Sequence, residues 1–187
     1  MMKRFFDMIL AIMLMIFTTP IFIIIMVFIR LGSKGAALHW SKRIGINNQI
    51  FLMPKFRSMY LNTPDVATHL LHDSKSYITP IGRILRKTSL DELPQLWSIL
   101  IGDMSFVGPR PALHNQDDLM ALRIEMGVDK CKPGLTGWAQ INGRDEISIP
   151  EKVKLEHYYL QHQSFFFDLK ILFFTFFGVL FSKGISH

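Results

Sequence analysis

The chain has 187 residues, 49% of them hydrophobic, and a formal net charge of +6. That length allows one domain plus one membrane element and excludes two ordinary domains. The single cysteine, Cys131, excludes an internal disulfide. The basic balance favours an anionic partner but does not choose among nucleic acid, phospholipid head groups and phosphorylated substrates.

Residues 8–29 form an uncharged run of 22 residues, in which Thr18 and Thr19 are the strongly polar members. A helix of this length is enough to cross a hydrocarbon core of about 30 Å. A cleaved signal peptide is disfavoured, because the run is long and no small-residue cleavage site follows it. A spanning helix and a re-entrant helix, which leaves the bilayer on the side it entered, are the remaining interpretations.

Two features indicate re-entry. Pro20 removes a backbone donor just past the middle of the run, and Thr18 and Thr19 beside it can bond carbonyls that a kink frees. Basic residues flank the run on both sides, at Lys3, Arg4, Arg30 and Lys34. If basic flanks stay in the cytoplasm, both ends favour the same face. Because spanning helices also tolerate proline, these features alone leave the two topologies equally open.

The rest of the chain predicts short strands and helices. Residues 50–53 and 104–107 are apolar runs that predict strands, and residues 138–142 predict a third. Helices are predicted from residue 81 onward, over 93–100, over 113–126 and over 151–161. The last apolar stretch, 171–182, is too short to cross a bilayer, so it should lie in the membrane interface or pack on the domain.

Asp91 and Glu92 are the first candidates for chemistry. Of two adjacent carboxylates, one can act as a nucleophile or bind a metal ion while the other accepts or donates a proton. The competing interpretation is structural: Ser89 and Glu92 fit a capping box at the start of the 93–100 helix. The two residues alone favour the structural interpretation.

Cations and turns nearby shift that balance. Lys55 and Arg57 follow a predicted strand, and Arg86 lies just upstream of the acidic pair. Arg110 lies between Pro109 and Pro111, which restrict the local backbone and so limit the directions of its side chain. A fixed guanidinium is a good diphosphate ligand, and no glycine-rich nucleotide motif or zinc ligand set is present.

Several sequence blocks occur in a characteristic order: KRFFD (3–7), KFRSM (55–59), SLDELPQL (89–96), GDMSFVGPRP (102–111), KPGLTGWAQ (132–140), NGR (142–144) and DLK (168–170). In these blocks the chain resembles the bacterial sugar transferase family of monotopic phosphoglycosyl transferases. The chain resembles the smallest members, which consist of the catalytic module alone, including the initiating enzyme of bacterial protein N-glycosylation.

The resemblance implies transfer of a sugar 1-phosphate from a UDP-sugar to polyprenyl phosphate, with release of UMP and a need for Mg²⁺. It implies Asp91 as nucleophile and metal ligand, with Glu92 as its partner. Phosphates would be held by Arg110, Arg86, Arg57 and Lys55. Gln140 and Arg144 are further candidate substrate ligands. Thr19-Pro20 matches the family's re-entry break, where relatives have Ser-Pro.

The resulting expectation is a mixed α/β, mostly helical fold: a re-entrant membrane helix-hairpin (1–31) and a catalytic domain (32–187) with short strands and interfacial amphipathic helices. Its place is the cytoplasmic face of the bacterial inner membrane, in contact with phospholipid. The donor sugar, the pathway and the oligomeric state stay open, and a homodimer is compatible with the sequence. The alternative function is a membrane-anchored basic protein that binds anionic lipid or nucleic acid; scattered basic residues disfavour nucleic acid.

Overall fold

The computed structural model describes residues 2–64, 74–143 and 147–180. Its elements, in chain order, are α1 (Met2–Gly32), β1 (Leu38–Ile44), β2 (Ile50–Phe56), α2 (Pro80–Lys87), α3 (Gln95–Ile101), β3 (Ser105–Val107), α4 (Asp117–Glu125), β4 (Gly134–Thr136), α5 (Trp138–Ile141), α6 (Ile149–Gln161) and α7 (Phe165–Leu180). Helices outweigh strands, so the predicted mixed, mostly helical class is confirmed.

The described strands form two separate two-stranded sheets. β1 and β2 are an antiparallel hairpin in which His39 lies opposite Lys55. β3 and β4 are parallel. The predicted strand at 138–142 is wrong, because those residues form α5 and the strand lies just before them. A Cβ on Gly134 would lie 2.1 Å from the Gly108 nitrogen, so a glycine lets β4 approach this closely, which an apolar pattern does not reveal.

The long N-terminal helix α1 is uninterrupted and contains Pro20. Its 31 residues correspond to a length of roughly 46 Å at the usual rise. Pro20 leaves the carbonyl of Ile16 without its helical donor. The hydroxyls of Thr18 and Thr19 donate to carbonyls four residues earlier, at 2.7 and 2.6 Å, and such bonds often accompany bends in helices.

Both ends of α1 contact the globular part of the chain. At the N-terminal end, the Arg4 guanidinium donates to the carbonyls of Ile99 and Leu100, at 2.5 and 2.7 Å. These carbonyls lie at the C-terminal end of α3, where cations are favoured. Asp7 is buried, and Ser105 of β3 donates to its carboxylate at 2.8 Å. The basic residues before the apolar run, which were used to predict the membrane topology, therefore also make tertiary contacts.

The C-terminal end of α1 is held mainly by apolar packing. Ile25 and Ile29 are buried in a cluster with Ala37, Phe56 and Leu85. Removing such side chains from water is worth about 1.5–3 kcal/mol each. Both ends of α1 are thus attached to the domain that follows it, the first by hydrogen bonds and the second by apolar contacts.

The opposite face of α1 is exposed and apolar, with Ile16 67% and Phe17 76% exposed. Among the described residues, α1 is the one helix long and apolar enough to cross a membrane. The C-terminal helix α7 buries Ile171 in the main core while Phe166 is 82% and Phe173 59% exposed. α7 therefore packs on the domain, one of the two arrangements expected for this stretch, and presents a second apolar face.

Candidate active site

The two candidate carboxylates lie on one 3-10 turn, Leu90–Glu92, between α2 and α3. Ser89 precedes the turn with φ +56°, a left-handed conformation that costs a non-glycine residue about 1–3 kcal/mol and is frequent at functional sites. The predicted capping box is wrong. A capping serine needs an extended backbone, and the Ser89 hydroxyl makes no capping hydrogen bond here.

Glu92 is held between two cations. One of its carboxylate oxygens, Oε1, accepts from Lys55 Nζ at 3.1 Å and from Arg110 NH2 at 3.0 Å. Burial by itself raises the pKa of Glu92, but Arg110 and Lys55 outweigh burial and hold the pKa far below its ordinary value. Glu92 is therefore a fixed anion that orients two cations, rather than a group poised to exchange a proton.

Asp91 differs from its neighbour in lacking such a pair. It is 9% exposed, and within the described ranges no cation lies within 4.0 Å of its carboxylate. Burial raises its pKa, while Lys55, Arg86 and Arg110 offset part of that rise and Glu92 adds to it. A poorly solvated carboxylate facing several cations is, in its anionic form, suited to attack an electrophile that those cations can hold.

Three of the predicted phosphate ligands converge on this turn: Lys55 from β2, Arg110, and Arg86 from α2. The α2 helix lies tightly against residues 57–59, since a Cβ on Gly82 would lie 1.9 Å from the Ser58 carbonyl oxygen. Arg86 Nε donates to the Ser58 hydroxyl at 3.1 Å. Burial also lowers the pKa of Lys55, an effect that Glu92 counters most strongly.

Arg57, the fourth predicted phosphate ligand, has other contacts. It is 5% exposed, and its guanidinium donates to the carbonyls of Ser33 and Lys34 and to the Ser33 hydroxyl, at 2.6 to 2.9 Å. These acceptors lie just past the end of α1, where helix carbonyls need donors. Arg57 thus donates to acceptors at the end of α1, and we do not propose it as a phosphate ligand.

The two further substrate candidates differ in what can be said of them. Arg144 lies outside the described residues. Gln140, on α5, has an amide whose nitrogen and oxygen are both buried and have no hydrogen-bond partner in the described chain. A Cβ on Gly137 would lie 2.1 Å from the Gly108 carbonyl oxygen and 2.7 Å from Gln140 Oε1. The amide therefore lies close to the turn that leads into Arg110.

Two arginines near the site were missed from sequence. Arg43, on β1, acts electrostatically on Lys55 and donates to the Pro111 carbonyl at 3.2 Å. Residues 39, 41 and 43 share a hairpin face with Lys55, so recognising β1 as a strand could have found it. Arg123, on α4, donates to the Arg110 carbonyl at 2.9 Å. Nothing local in the sequence signals that contact.

The donor set fits a weakly held hard cation rather than a dedicated metal cage. No group of three or more metal-ligating side chains occurs among the residues that the structure describes. Mg²⁺ is commonly held by one or two carboxylates together with substrate phosphates and water. Asp91 offers a carboxylate outside an ion pair, so the site suits Mg²⁺ arriving with a diphosphate.

Comparison with known proteins identifies what the chain resembles as a whole. The family described as "Bacterial sugar transferase" matches residues 1–182. The sugar transferase EpsL of Bacillus subtilis (strain 168), described as uncharacterized, is 42% identical over 188 residues, covering 100% of this chain and 91% of the relative.

Two further relatives carry more specific names. The exopolysaccharide production protein ExoY of Rhizobium meliloti (strain 1021) is 36% identical over 200 residues, covering 98% of this chain and 88% of ExoY. The UDP-glucose:undecaprenyl-phosphate glucose-1-phosphate transferase of Escherichia coli (strain K12) is 37% identical over 190 residues, covering 98% of this chain and 41% of the longer relative.

Proposed function

The chain belongs to the bacterial sugar transferase family, and we propose that it transfers a sugar 1-phosphate from a UDP-sugar to polyprenyl phosphate, releasing UMP. Its relatives include transferases named for undecaprenyl phosphate as acceptor. The observation that carries the proposal is the contrast between Glu92, which has two cationic partners, and the buried Asp91 beside it, which has no ion-pair partner among the described residues. Such a reaction would begin polysaccharide or other glycoconjugate assembly.

In the first step, a carboxylate oxygen of Asp91 attacks the phosphorus that carries the sugar. A bond forms between that oxygen and phosphorus, while the bond from phosphorus to the bridging oxygen of the diphosphate breaks. UMP leaves with the bridging oxygen, and Asp91 carries the phosphosugar. The attack is in line, so the leaving group lies opposite the carboxylate.

In the second step, a phosphate oxygen of the polyprenyl carrier attacks the same phosphorus. The bond from phosphorus to Asp91 breaks, the carboxylate is regenerated, and the product is a polyprenyl diphosphate sugar. No proton needs to move to Asp91 in either step, which agrees with a neighbour, Glu92, that is fixed by two cations instead of free to titrate.

The cations of the site would make attack on an anionic diphosphate feasible. A carboxylate and a diphosphate repel each other, and preorganised positive charge in a poorly hydrated site offsets that repulsion. Lys55 and Arg110 are already oriented by Glu92, and Arg86 lies near Asp91. Mg²⁺, held by Asp91 and the substrate phosphates, would supply further charge neutralisation when bound.

We also propose that α1 is re-entrant and that the catalytic domain lies on the cytoplasmic face of the inner membrane, the side that the basic residues at both ends of α1 favour. The support is that both ends of α1 contact the same domain while Ile16 and Phe17 between them are exposed. The exposed phenylalanines of α7 add a second apolar face that suits the membrane interface. A carrier phosphate at head-group level would then meet Asp91 at a fixed depth.

The covalent intermediate can be tested without acceptor. Incubation with a UDP-sugar labelled in the sugar should leave label on the wild-type protein and release one equivalent of UMP. Asp91→Asn should give neither label nor UMP. If polyprenyl phosphate is required before any UMP appears and no label is retained, transfer is direct and Asp91 is not a nucleophile.

The topology can be tested with single cysteines, since native Cys131 is buried. Met2→Cys, at the start of α1, is compared with Ser148→Cys, at an exposed position of the domain. A membrane-impermeant thiol reagent should label both in inverted vesicles and neither in intact spheroplasts. Labelling of Met2→Cys from outside the spheroplast would show a spanning helix.

The alternative of a membrane-anchored basic protein without catalysis is not favoured, because the whole chain matches a transferase family. The same assay separates the two. Binding of anionic lipid with no UMP release from any of a panel of UDP-sugars, in the presence of undecaprenyl phosphate and Mg²⁺, would support the binding protein.

A further inference from the structure

The backbone of residues 109–112, here called the site loop, is held at every carbonyl. The donors are the Gly134 amide to Pro109 O at 2.8 Å, the Arg123 guanidinium to Arg110 O at 2.9 Å, the Arg43 guanidinium to Pro111 O at 3.2 Å and the Ile44 amide to Ala112 O at 3.0 Å. Four donors from three separate parts of the chain, β1, α4 and β4, thus hold four consecutive carbonyls. Such a loop cannot adjust one residue without losing a partner.

Within the site loop, Arg110 lies between two prolines. Pro111 restricts the backbone of Arg110, the residue before it, and the ring of Pro109 fixes its own φ. The orientation of the Arg110 carbonyl sets the peptide plane between Arg110 and Pro111. Arg123 donates to this carbonyl at 2.9 Å, so it holds that peptide plane, and with it the Arg110 backbone, in one orientation.

Arg123 is itself held rigidly. Its Nε and NH2 donate to the two carboxylate oxygens of Glu156 on α6, at 2.8 and 2.5 Å. The exposed fractions of Arg123 and Glu156 are 5% and 2%. Burying an ion pair brings little net stability, and apolar side chains of the same volume often replace one without loss. An apolar pair could not donate to the site loop.

We infer that Arg123 is a positioning residue for the transfer reaction: clamped by Glu156, it fixes the Arg110 backbone so that the Arg110 guanidinium meets Glu92 and the donor diphosphate. The chain of contacts runs from Glu156 through Arg123 and Arg110 to Glu92, whose Oε1 accepts from Arg110 at 3.0 Å. This inference rests on the proposed function for its substrate, but its structural part does not.

The test replaces the pair together, Arg123→Met/Glu156→Met, so that no lone buried charge remains. Hydrogen exchange of the peptide covering residues 105–116 should become faster. The KM for the UDP-sugar should rise about tenfold, as expected when one well-oriented charged contact to the substrate is lost. Glu156→Gln, which leaves the Arg123 donor in place, should change KM less.

A matched control is Val153→Ala on the same helix as Glu156. Val153 is fully buried beside the site loop, in a cluster with Ala112 and Leu119, so its truncation loosens the packing without removing the donor. It should lower thermal stability and leave KM within about twofold. An equal rise in KM for Val153→Ala and for the double-Met variant would assign the effect to packing and overturn the inference.

A second comparison uses an Arg110→Ala background. If Arg123 acts through Arg110, the double-Met substitution should change KM by less than about twofold there, because the side chain it positions is gone. A further tenfold rise would show an independent role and overturn the inference. Should the double-Met variant not fold, Arg123→Lys, which keeps a charge for Glu156 but loses the planar fork, takes its place in both comparisons.

Failure of the proposed function is distinguishable from failure of this inference. If the wild-type protein releases no UMP from any UDP-sugar, the proposed function fails and the kinetic comparison ends. Hydrogen exchange still tests whether Arg123 fixes the site loop. Unchanged exchange at residues 105–116 in the double-Met variant, together with faster exchange in Val153→Ala, would refute that role.

Discussion

The buried carboxylates of two regions, an anchor latch and the active-site turn, differ in how they are satisfied. In the anchor latch, formed by Lys3, Asp7, Tyr159 and Asp168, Asp168 accepts from Lys3 at 2.5 Å and from Tyr159 at 2.7 Å. Lys3 also donates to the carbonyl of Val107, at the end of β3, at 3.0 Å. Each carboxylate of the latch has at least two donors, Asp7 among them.

The active-site turn is arranged differently. Glu92 accepts from two donors, as each latch carboxylate does, but among the described residues Asp91 has no cation within 4.0 Å and no side-chain hydrogen-bond donor. Burying a carboxylate without a partner lowers stability. The difference indicates that the latch is built to hold α1 on the domain, whereas the turn keeps one carboxylate available for reaction. Substitutions in the two regions should therefore separate activity from stability.

The largest effect is expected for Asp91→Asn. Loss of the nucleophile should lower UMP release by at least about 10³-fold. Thermal unfolding in detergent should occur at the same temperature or higher, because the amide removes an unpaired buried charge. A marked fall in unfolding temperature with residual activity above about a tenth of wild type would mean that Asp91 is a structural residue.

The next largest effect on activity is expected for Glu92→Gln. The amide keeps the shape but not the charge that orients Lys55 and Arg110, so kcat should fall about 10²-fold, the usual size for one preorganised electrostatic contact. The label on Asp91 should still form, only more slowly. Rates equal to wild type would show that the cations hold their positions without Glu92.

Asp168→Asn, in the latch, should show the opposite pattern. Lys3 and Tyr159 lose a buried charged acceptor, which should cost about 2 kcal/mol of stability after allowance for the partial exposure of Lys3. Activity of the protein that remains folded should stay within about threefold of wild type. Detergent-solubilised thermal unfolding, followed in parallel with UMP release at low temperature, gives both quantities. A loss of activity as large as that of Glu92→Gln would end the distinction between the two regions.

The smallest effect is a displacement of the pH profile. Burial raises the pKa of Asp91 above the ordinary 3.8, and Lys55 opposes that rise. Formation of the covalent adduct requires the Asp91 carboxylate in its anionic form. As the pH is lowered, the rate should therefore begin to fall at a higher pH than it would for an exposed aspartate. Lys55→Met removes a charge that lowers the pKa, so its acid limb should move to still higher pH.

The measurement is the pre-steady-state rate at which label passes from the UDP-sugar to the protein. No polyprenyl phosphate is present, so the ionisation of the acceptor does not affect the pH profile. Arg83→Met, an exposed arginine on α2, serves as the control for loss of one positive charge and should leave the limb in place. An acid limb that moves to lower pH in Lys55→Met would contradict the electrostatic account of Asp91.

Local patterns in the sequence were enough for several elements. The strand at 104–107 and the helices beginning near residues 81 and 151 are confirmed as β3, α2 and α6. The helix predicted over 113–126 exists but is shorter, Asp117–Glu125, because the residues before it are tied to the β1–β2 hairpin through Arg43 and Ile44. β1 was missed, since its polar and basic residues carry little strand signal.

Three features could be predicted from the sequence: the apolar N-terminal helix, the acidic pair and the proline-framed Arg110. Each depends only on residues that are neighbours in the chain. Tertiary structure decided which groups those residues meet. It paired Glu92 with two cations and, within the part of the chain that the structure describes, left Asp91 without an ion pair. It also placed Arg57 at the end of α1 and Arg123 of α4 at the Arg110 carbonyl. These contacts join residues distant in the chain, and their geometry depends on packing that no local pattern encodes.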